Sequence, residues 1–243
     1  ETGALHIWPR GGFMLIALPN PGGDFTLTLF LPMEGPASFE ELDTTARVAD
    51  FFARHFADVV PLIPDLCEAF ERNPVGILGT VRCQHWHSGG EVLLIGDAAH
   101  AVVPFHGQGM NLAFEDCVVL DEILAGGSRD WPNVFESFER RQLANANAIA
   151  NMALENYVEM RDTVRDPKFL LRKELAFVLE RRLPGRFIPR YSMVMFHDEI
   201  PYAEAQRRGA IQQALLEELT RDTDSIGDVD IDEAEKLAIA RLD

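Results

Sequence analysis

Three short segments near the start of the chain alternate between apolar and polar residues, which is the pattern of β-strands. They cover residues 4–8, 13–18 and 25–31, and turns rich in proline and glycine separate them. In the third segment, apolar residues occupy one face and two threonines the other. We therefore expect a meander of strands with one buried side.

A helical period replaces this alternation after residue 38. Ser38 is followed three residues later by Glu41, which is the arrangement of a capping box, so a helix is predicted over residues 38–56. A second helix is predicted over residues 62–70.

Strand character returns at residues 77–83 and 91–95. The second of these segments contains the continuous apolar run VLLI, which is typical of a strand buried on both faces.

Beyond residue 109 the pattern is almost entirely helical. A helix is predicted over residues 111–124, with Phe114, Cys117 and Val118 on its inner side, and paired glycines at 126 and 127 end it. Further helices are predicted over residues 131–160 (as one helix or two), 167–182 and 201–221. The acidic stretch that follows, 223–243, is expected to form a surface helix at residues 232–242 or a loose tail.

Composition and charge exclude several classes of protein. With 243 residues, 47% of them hydrophobic, the chain can bury one large core or two small ones. Its net charge of -17 opposes binding to nucleic acid or to an anionic membrane, and no apolar run approaches the roughly 20 residues of a membrane span. The 3 cysteines form no CxxC pair, so neither a disulfide framework nor a zinc site is expected. We expect a cytoplasmic protein.

The stretch that carries candidate chemistry runs from Glu91 to Asn111 and reads EVLLIGDAAHAVVPFHGQGMN. Gly96 ends the predicted strand without a side chain, so a ligand can approach the backbone there. Asp97 follows at the carboxyl end of that strand, where open α/β sheets bind ligands, and its carboxylate can accept hydrogen bonds from sugar-like hydroxyls.

The same stretch ends in a glycine-rich helix start, Gly107 to Asn111. Free backbone N–H groups at the positive end of a helix stabilise an anion, such as the pyrimidine edge of a reduced flavin. The alternative is an ordinary strand–loop–helix connection whose glycines serve only the turn. The acidic turn, the proline loop and the helix start occur together in order, which favours the functional interpretation.

At these residues the chain resembles the class A flavoprotein aromatic hydroxylases, whose fold is that of p-hydroxybenzoate hydroxylase. The sequences GDAAH and PFHGQGMN are similar to the second FAD-binding motif of that family. Other similar segments lie at residues 4–10, 13–20, 114–117, 155–161 and 187–193, so the resemblance extends from residue 4 to about residue 207.

The resemblance implies a mixed fold, α+β or α/β, that is part of a p-hydroxybenzoate-hydroxylase-like FAD-binding fold. The implied layout is a partial substrate domain with sheet and helices (1–75), a returning FAD-binding segment of strand, loop and helix (76–125), a C-terminal helical region (126–221) and an acidic tail (222–243).

One departure from the family pattern concerns the other half of the FAD site. Members begin with a βαβ unit bearing GxGxxG and continue to an Asp-Gly element, and neither lies in these 243 residues in that context. We therefore expect one of three explanations for this N-terminal half, which also carries the family's substrate-carboxylate arginine: another chain supplies it, the sequence is truncated, or the family pattern has been lost.

The resemblance also implies a role for individual residues. Asp97 would hold the ribityl chain of FAD, and the backbone of Gly109, Met110 and Asn111 would contact the flavin pyrimidine. Gly96, Pro104 and Gly107 complete the predicted cofactor-binding set. The predicted substrate-binding residues are Phe13, Pro104, His106, Gln108, Asn156, Met160 and Tyr191.

Each of these roles has a purely structural alternative. Without the resemblance, Asn156 and Tyr191 would be interpreted as a satisfied polar residue and a core tyrosine. His100 and His106 lack a third ligand at a usable spacing, so no metal site is expected. No side chain is expected to act as a nucleophile or other catalytic group.

The activity implied by the resemblance is that of an FAD-dependent monooxygenase with NADPH as co-substrate. The similar segments point to L-kynurenine as the substrate, hydroxylated by O₂ at carbon 3 through a flavin C4a-hydroperoxide. Two alternatives stay open: a class A monooxygenase acting on a different aromatic acid, and a non-catalytic fragment or subunit that lacks the ADP-binding half.

Overall fold

The computed structural model describes residues 1–127 and 129–242, and Asp243, the end of the predicted acidic tail, lies outside the described residues. Helices and small antiparallel sheets are combined, which confirms the mixed class expected from the sequence. The chain forms two compact units. The first unit comprises residues 1–77 and 158–165, and the second comprises residues 78–157 and those from 166 onward.

The first unit begins with a three-stranded antiparallel sheet in the order β1 (His6–Pro9), β2 (Met14–Pro19) and β3 (Phe25–Phe30). The predicted meander is therefore confirmed. The expectation of one buried side is wrong for the central strand, where every residue from Met14 to Ala17 is buried. Because successive side chains point to opposite faces, both faces of β2 are covered.

Two helices complete the first unit, α1 (Thr45–His55) and α2 (Leu66–Arg72), with a 3₁₀ turn at Val60–Leu62 between them. Their apolar side chains pack with the sheet in one cluster. Its buried members are Phe13, Leu15, Leu42, Val48, Phe51, Phe52, Phe56 and Val59.

The predicted start of the first helix is wrong. Ser38 lies in a turn and its hydroxyl donates to the carbonyl of Gly35 at 2.8 Å. The helix begins seven residues later because Thr44 is the N-cap, whose hydroxyl accepts from the N–H of Arg47 at 3.3 Å. A local side-chain bond at Ser38 thus replaces the expected capping box.

The second unit begins with extended chain instead of the two predicted strands. Residues 77–83 form no regular strand, although the N–H of Val81 donates to the carbonyl of Ala101 at 2.8 Å. In residues 91–95, only β5 (Val92–Leu93) pairs, with the equally short β4 (His87–Ser88). The expectation of a strand buried on both faces is wrong, since Val92 is 52% exposed and so short a pair covers little of the run.

Helices form the rest of the second unit. They are α3 (Asp97–His100), α4 (Gly109–Ala125), α5 (Trp131–Arg161, whose last residues belong to the first unit), α6 (Pro167–Arg182), α7 (Arg190–Phe196), α8 (Tyr202–Leu219) and α9 (Ile231–Leu242). Of these, α4, α5, α6, α8 and α9 lie close to the predicted ranges, whereas α3 and α7 were not predicted. Short 3₁₀ turns occupy Pro104–His106, Thr163–Arg165 and Ile226–Asp228. The start of α6 follows a simple rule: the Asp166 carboxylate accepts from the N–H of Lys168 at 3.0 Å, and proline occupies the first turn.

Two apolar clusters hold the second unit together. One surrounds Trp86, Leu112, Phe138 and Ile149 and joins α3, α4 and α5 to the α7–α8 region. The other joins α6, α8 and α9, and there α9 buries Ala234 and Ala238. Of the two alternatives for the acidic C-terminal stretch, the helix is therefore the one observed.

None of the helices in the described part of the chain combines the length and the apolar character that crossing a bilayer requires.

Candidate functional site

The turn that follows β5, residues 96–100, is called here the Asp97 turn. Gly96 adopts φ +62° just before α3, a backbone conformation that strains any residue with a side chain. A Cβ at this position would also lie 3.4 Å from the Cβ of Ala113 on α4. Gly96 is buried by this packing, whereas Asp97 beside it is exposed and its carboxylate is accessible.

A buried carboxylate that the sequence interpretation missed fastens this turn. One oxygen of Asp116, on α4, accepts from the N–H of Gly96 at 2.9 Å and contacts Nε2 of His100 at 2.7 Å. Its other oxygen accepts from the side-chain amide of Gln142 at 3.2 Å. Asp116 is fully buried and His100 is 4% exposed, with its ring 4.9 Å from that of Trp86. Both ends of the turn are therefore anchored to α4.

This network explains why the predicted inner face of α4 is wrong. Phe114, Cys117 and Val118 are exposed, and the buried positions are Leu112, Asp116 and Val119. If Leu112 and Val119 are taken as the inner face of the helix, Asp116 lies on the same face. An acid among apolar inner positions is the feature of the sequence that could have indicated the buried network.

The loop between the Asp97 turn and α4 carries a second buried polar residue. His106 ends the Pro104–His106 turn and is 5% exposed, with its ring stacked 5.6 Å from that of Tyr191 at an interplanar angle of 26°. Burial, reinforced by the positive charge of Arg190, lowers the pKa of His106 from 6.5 to about 4. Neither ring nitrogen has a hydrogen-bond partner among the residues that the structure describes.

Gln108, the next buried polar residue, is held by three contacts. Its side-chain oxygen accepts from the hydroxyl of Tyr202 at 3.0 Å and from the amide of Asn111 at 2.8 Å, and its nitrogen donates to the sulfur of Met195 at 3.1 Å. Burial, with the nearby charge of Glu115, raises the pKa of Tyr202 to about 12. The Tyr202 hydroxyl therefore stays protonated and remains a donor at neutral pH.

Residues 108–111, called here the α4 start, follow Gly107, which adopts the left-handed φ of +66°. The first intrahelical bond runs from the N–H of Leu112 to the carbonyl of Gln108 at 2.9 Å. No side chain in the described ranges caps this helix, so the amides of Gly109, Met110 and Asn111 point out from its positive end. The side chains of Met110 and Asn111 are exposed.

The predicted substrate-binding residues are divided between the two units. In the second unit, Asn156 donates to the carbonyl of Phe105 at 2.5 Å, which fixes α5 to the turn that carries Pro104 and His106. His106 in turn contacts Tyr191. The structure thus links these residues through direct contacts.

Phe13 and Met160 belong to the first unit. The ring of Phe13 packs 5.5 Å from Phe51 and 6.1 Å from Phe56, so it takes part in the core of that unit. Met160 is half-buried on α5. Their role in substrate binding stays a prediction.

Two further observations concern alternative ligands. In the ranges 1–127 and 129–242, no three His, Cys, Asp or Glu residues gather as metal ligands would. A surface cleft of about 550 Å³ lies elsewhere in the second unit, and the Asp97 turn and the α4 start do not contribute to its walls. Its lining residues are Glu155, Arg190, Ala203, Gln206, Arg207, Ala210, Gln213, Ala214 and Glu217.

A family model matches the segment that contains both the Asp97 turn and the α4 start. Residues 62–152 match the family model of the FAD binding domain. The chain is 53% identical over 242 residues to the kynurenine 3-monooxygenase of Myxococcus xanthus, covering 100% of this chain and 52% of that protein. This chain is similar to kynurenine 3-monooxygenases along its whole length.

Two other relatives with the same name support this finding. The Stenotrophomonas maltophilia protein is 54% identical over 230 residues, covering 95% of this chain and 50% of the relative. The Xanthomonas axonopodis protein is 50% identical over 243 residues, covering 100% of this chain and 53% of the relative. The resemblance to FAD-dependent hydroxylases is confirmed, and the chain spans about half the length of the curated relatives it matches.

Proposed function

We propose that this chain is part of an FAD-dependent monooxygenase that hydroxylates L-kynurenine at carbon 3, using NADPH and O₂. The proposal includes a p-hydroxybenzoate-hydroxylase-like arrangement of the FAD site. It is supported by the FAD binding domain match and by relatives named for kynurenine 3-monooxygenation. These names favour kynurenine over a different aromatic acid, and an enzyme over a non-catalytic fragment.

The observation that carries the proposal is the double attachment of the Asp116 carboxylate. Because Asp116 lies on α4 and binds the N–H of Gly96 and the ring of His100, it joins the Asp97 turn to the helix whose start offers free amides. The two elements expected to contact FAD are thus fixed to each other within one unit. Burying a carboxylate is costly unless it is well hydrogen-bonded. An ordinary connection between a strand and a helix would not require one at this position.

The residues present fit a flavin in two respects. The uncapped α4 start offers backbone donors to an anionic edge, without a cationic side chain. The exposed carboxylate of Asp97 can accept hydrogen bonds from the hydroxyls of the ribityl chain. Gly96, Pro104 and Gly107 would let the backbone of this loop approach the cofactor closely.

When bound, FAD supplies the redox chemistry, taking reducing equivalents from NADPH and activating O₂. The chain's own residues contribute binding and orientation. The amides of Gly109, Met110 and Asn111 would stabilise negative charge on the flavin pyrimidine, a stabilisation that is strongest where water is excluded.

The substrate would lie beside the loop that carries Pro104, His106 and Gln108. His106 is neutral at physiological pH because burial and Arg190 lower its pKa, so either unpaired ring nitrogen can serve a neutral polar group of the substrate without adding charge. Asn156 and Tyr191 support this loop from α5 and α7. Phe13 and Met160 belong to the first unit, and their role as substrate-binding residues stays a separate prediction.

Reconstitution with the complementary half of a relative tests this proposal. The chain is co-expressed with the half of the Myxococcus xanthus protein that it does not match, and the purified complex is assayed for bound FAD, NADPH oxidation and product. We expect a yellow complex whose NADPH oxidation is stimulated by L-kynurenine and yields 3-hydroxykynurenine. NADPH oxidation stimulated only by another aromatic acid would contradict the substrate, and a complex that never binds FAD would contradict the enzyme class.

The isolated chain serves as the matched comparison. We expect it to bind FAD weakly or not at all, since about half of each relative has no counterpart in these residues. Flavin absorbance after desalting measures this directly, and tight stoichiometric binding would contradict the need for the second half.

A further inference from the structure

Gly209 lies in the interior of α8, where glycine is less favourable than alanine. A Cβ at this position would lie 2.5 Å from Cδ of Arg190, 2.8 Å from its Cγ and 3.0 Å from its Cβ. Carbon atoms that are not bonded to each other pack at about 3.5–4.0 Å, so no other residue fits here without moving Arg190. The absent side chain leaves a notch, called here the Gly209 notch, and the stem of Arg190 occupies it.

The other end of the Arg190 side chain is held by an ion pair. Its guanidinium donates to the carboxylate of Glu155 on α5. The two side chains are 28% and 49% exposed, so the pair by itself contributes little to stability. Its effect is geometric, because α8 holds the stem of Arg190 while α5 holds the charged group.

The backbone just before α7 is attached to the same helix. The side-chain amide of Gln212, on α8, donates to the carbonyl of Ile188 at 2.9 Å. One turn earlier on α8, the Gly209 notch receives Arg190, the first residue of α7. Two successive turns of α8 therefore determine where α7 begins, and with it the place of Tyr191.

Tyr191 passes this placement on to the candidate substrate site. Its ring is stacked 5.6 Å from that of His106. Among the residues that the structure describes, no hydrogen bond orients the ring nitrogens of His106. The stacking contact with Tyr191 is therefore an important determinant of where these nitrogens lie.

Glu155 is also adjacent to a residue that contacts the substrate loop. Asn156, the next residue of α5, donates to the carbonyl of Phe105 at 2.5 Å. The ion pair between Arg190 and Glu155 thus joins two positions whose neighbours, Tyr191 and Asn156, both contact the loop of residues 104–108. It is placed to fix α5 and α7 relative to each other at this loop.

We propose that Arg190 is a positioning residue of the substrate site. Seated in the Gly209 notch and paired with Glu155, it fixes the stacked rings of residues 191 and 106 at the place where the substrate binds. The inference rests on the proposed function, which assigns His106 and Tyr191 to substrate binding. Arg190 acts through these two residues and requires no contact of its own with the substrate.

A double-mutant cycle in the full chain tests the notch. Alanine in place of a helix-interior glycine ordinarily stabilises a protein. Gly209→Ala should instead lower the urea unfolding midpoint, because the new Cβ displaces Arg190. In an Arg190→Ala background, which lacks Cγ and Cδ, the same substitution should no longer lower the midpoint. Equal changes in the two backgrounds would overturn the proposal.

The placement of His106 is measured by NMR in the same full chain. The ring current of Tyr191 displaces the Cε1–H signal of His106, which is assigned by its loss in His106→Phe. We expect Gly209→Ala and Arg190→Gln to move this signal. Arg207→Gln should leave it unchanged, because Arg207 lines the same cleft as Arg190 but pairs within α8. A signal that stays in place in both test variants would contradict the positioning role.

Kinetics of the reconstituted complex test the consequence for the substrate. We expect KM for L-kynurenine to rise about fivefold in Gly209→Ala and about tenfold in Arg190→Gln, with kcat within about twofold. Arg190→Lys keeps the charge but not the planar guanidinium, so its KM should lie between those of the unsubstituted complex and Arg190→Gln. A merely structural role would lower kcat by reducing the amount of active complex and would leave KM unchanged.

Gly227→Ala is the control for the glycine substitution. A Cβ there would lie 3.6 Å from Oγ of Ser225, which is an ordinary contact, so neither KM nor kcat should change. Unchanged KM in Gly209→Ala and Arg190→Gln, in a complex that hydroxylates kynurenine, would overturn the inference alone. An unsubstituted complex that hydroxylates no kynurenine would reject the proposed function, and with it the role of Arg190 toward this substrate.

Discussion

Asp116 and His100 form a buried pair, with 2.7 Å between the carboxylate oxygen and Nε2 of the ring, although sixteen residues separate them in the sequence. The same oxygen accepts from the N–H of Gly96 at 2.9 Å. One carboxylate therefore determines the geometry of a whole turn, from Gly96 to His100, and sets that turn against α4. The position of the exposed Asp97 side chain therefore depends on Asp116, which is buried.

Removing this carboxylate should strongly destabilise the second unit. Asp116→Ala leaves the N–H of Gly96, the ring of His100 and the amide of Gln142 without their shared acceptor, which should cost about 3 kcal/mol or more of unfolding free energy. Urea unfolding followed by tryptophan fluorescence measures the loss, because the Trp86 ring is 4.9 Å from that of His100.

The matched control is Asp121→Ala, an exposed acid on the same helix. It should change the unfolding free energy by less than about 0.5 kcal/mol. Equal unfolding midpoints for the two variants would contradict a structural role of the Asp116 network.

The sequence predicted the existence of most helices and strands because each has a local signal. Proline and an N-capping aspartate mark the start of α6, and turn residues separate the three strands of the meander. The predicted start of α1 is wrong because Ser38 and Glu41 have the sequence pattern of a capping box, whereas the hydroxyl of Ser38 is bound to the carbonyl of Gly35 and Thr44 is the N-cap.

The inner face of α4 could not be predicted from apolar periodicity, because both faces of this helix are apolar. Phe114 and Val118 satisfy a helical pattern as well as Leu112 and Val119 do. The choice depends on Asp116, whose burial is favourable only where the Asp97 turn supplies partners. The inner face therefore depends on contacts between residues that are distant in the sequence. The candidate cofactor elements, in contrast, are recognisable from their glycines and their order.

The stability of the fold should depend on pH through His106. Its pKa is lowered to about 4, chiefly by burial, so the folded ring stays neutral while the ring in the unfolded chain takes up a proton below about 6.5. The unfolded state therefore binds more protons between these values, and stability decreases as the pH falls through this window. Between pH 7 and pH 5 the expected loss from this residue is roughly 2 kcal/mol.

His106→Phe should remove this contribution and retain the ring contact with Tyr191. Unfolding midpoints in guanidinium chloride at pH 7 and pH 5 give the comparison, with exposed His85→Phe as the control. An unchanged pH dependence in the His106 variant would show that its ring titrates normally in the folded protein.

Tyr202 should affect substrate binding through Gln108. Tyr202→Phe removes a donor to the Gln108 side-chain oxygen, at a cost of about 1 kcal/mol in stability, and frees a side chain proposed to line the substrate site. In the reconstituted enzyme we expect KM for L-kynurenine to rise severalfold with little change in kcat. Because the pKa of Tyr202 is about 12, the difference should be constant between pH 6 and pH 9.

Gln213→Ala is the control for this substitution. Gln213 also lies on α8, but its hydrogen bond, to Glu217, is at the surface. A kcat loss without a KM change in Tyr202→Phe would place its effect on the reaction step and not on substrate binding.

Substitution of Asp97 should weaken cofactor binding and leave folding stability unchanged. Its side chain is exposed, so Asp97→Ala should change the unfolding free energy by less than about 0.5 kcal/mol. In the reconstituted complex the lost carboxylate should weaken FAD binding by about 1.5 to 3 kcal/mol, or roughly ten- to hundredfold in Kd, as expected for hydrogen bonds to a charged group. Titration of FAD followed by flavin fluorescence measures Kd, and Asp121→Ala again provides an exposed acidic control. Asp97→Asn keeps one acceptor oxygen but no charge, so its Kd for FAD should lie between that of the unsubstituted complex and that of Asp97→Ala. Unaltered FAD affinity in the Asp97→Ala complex would contradict the proposed contact between Asp97 and the ribityl chain.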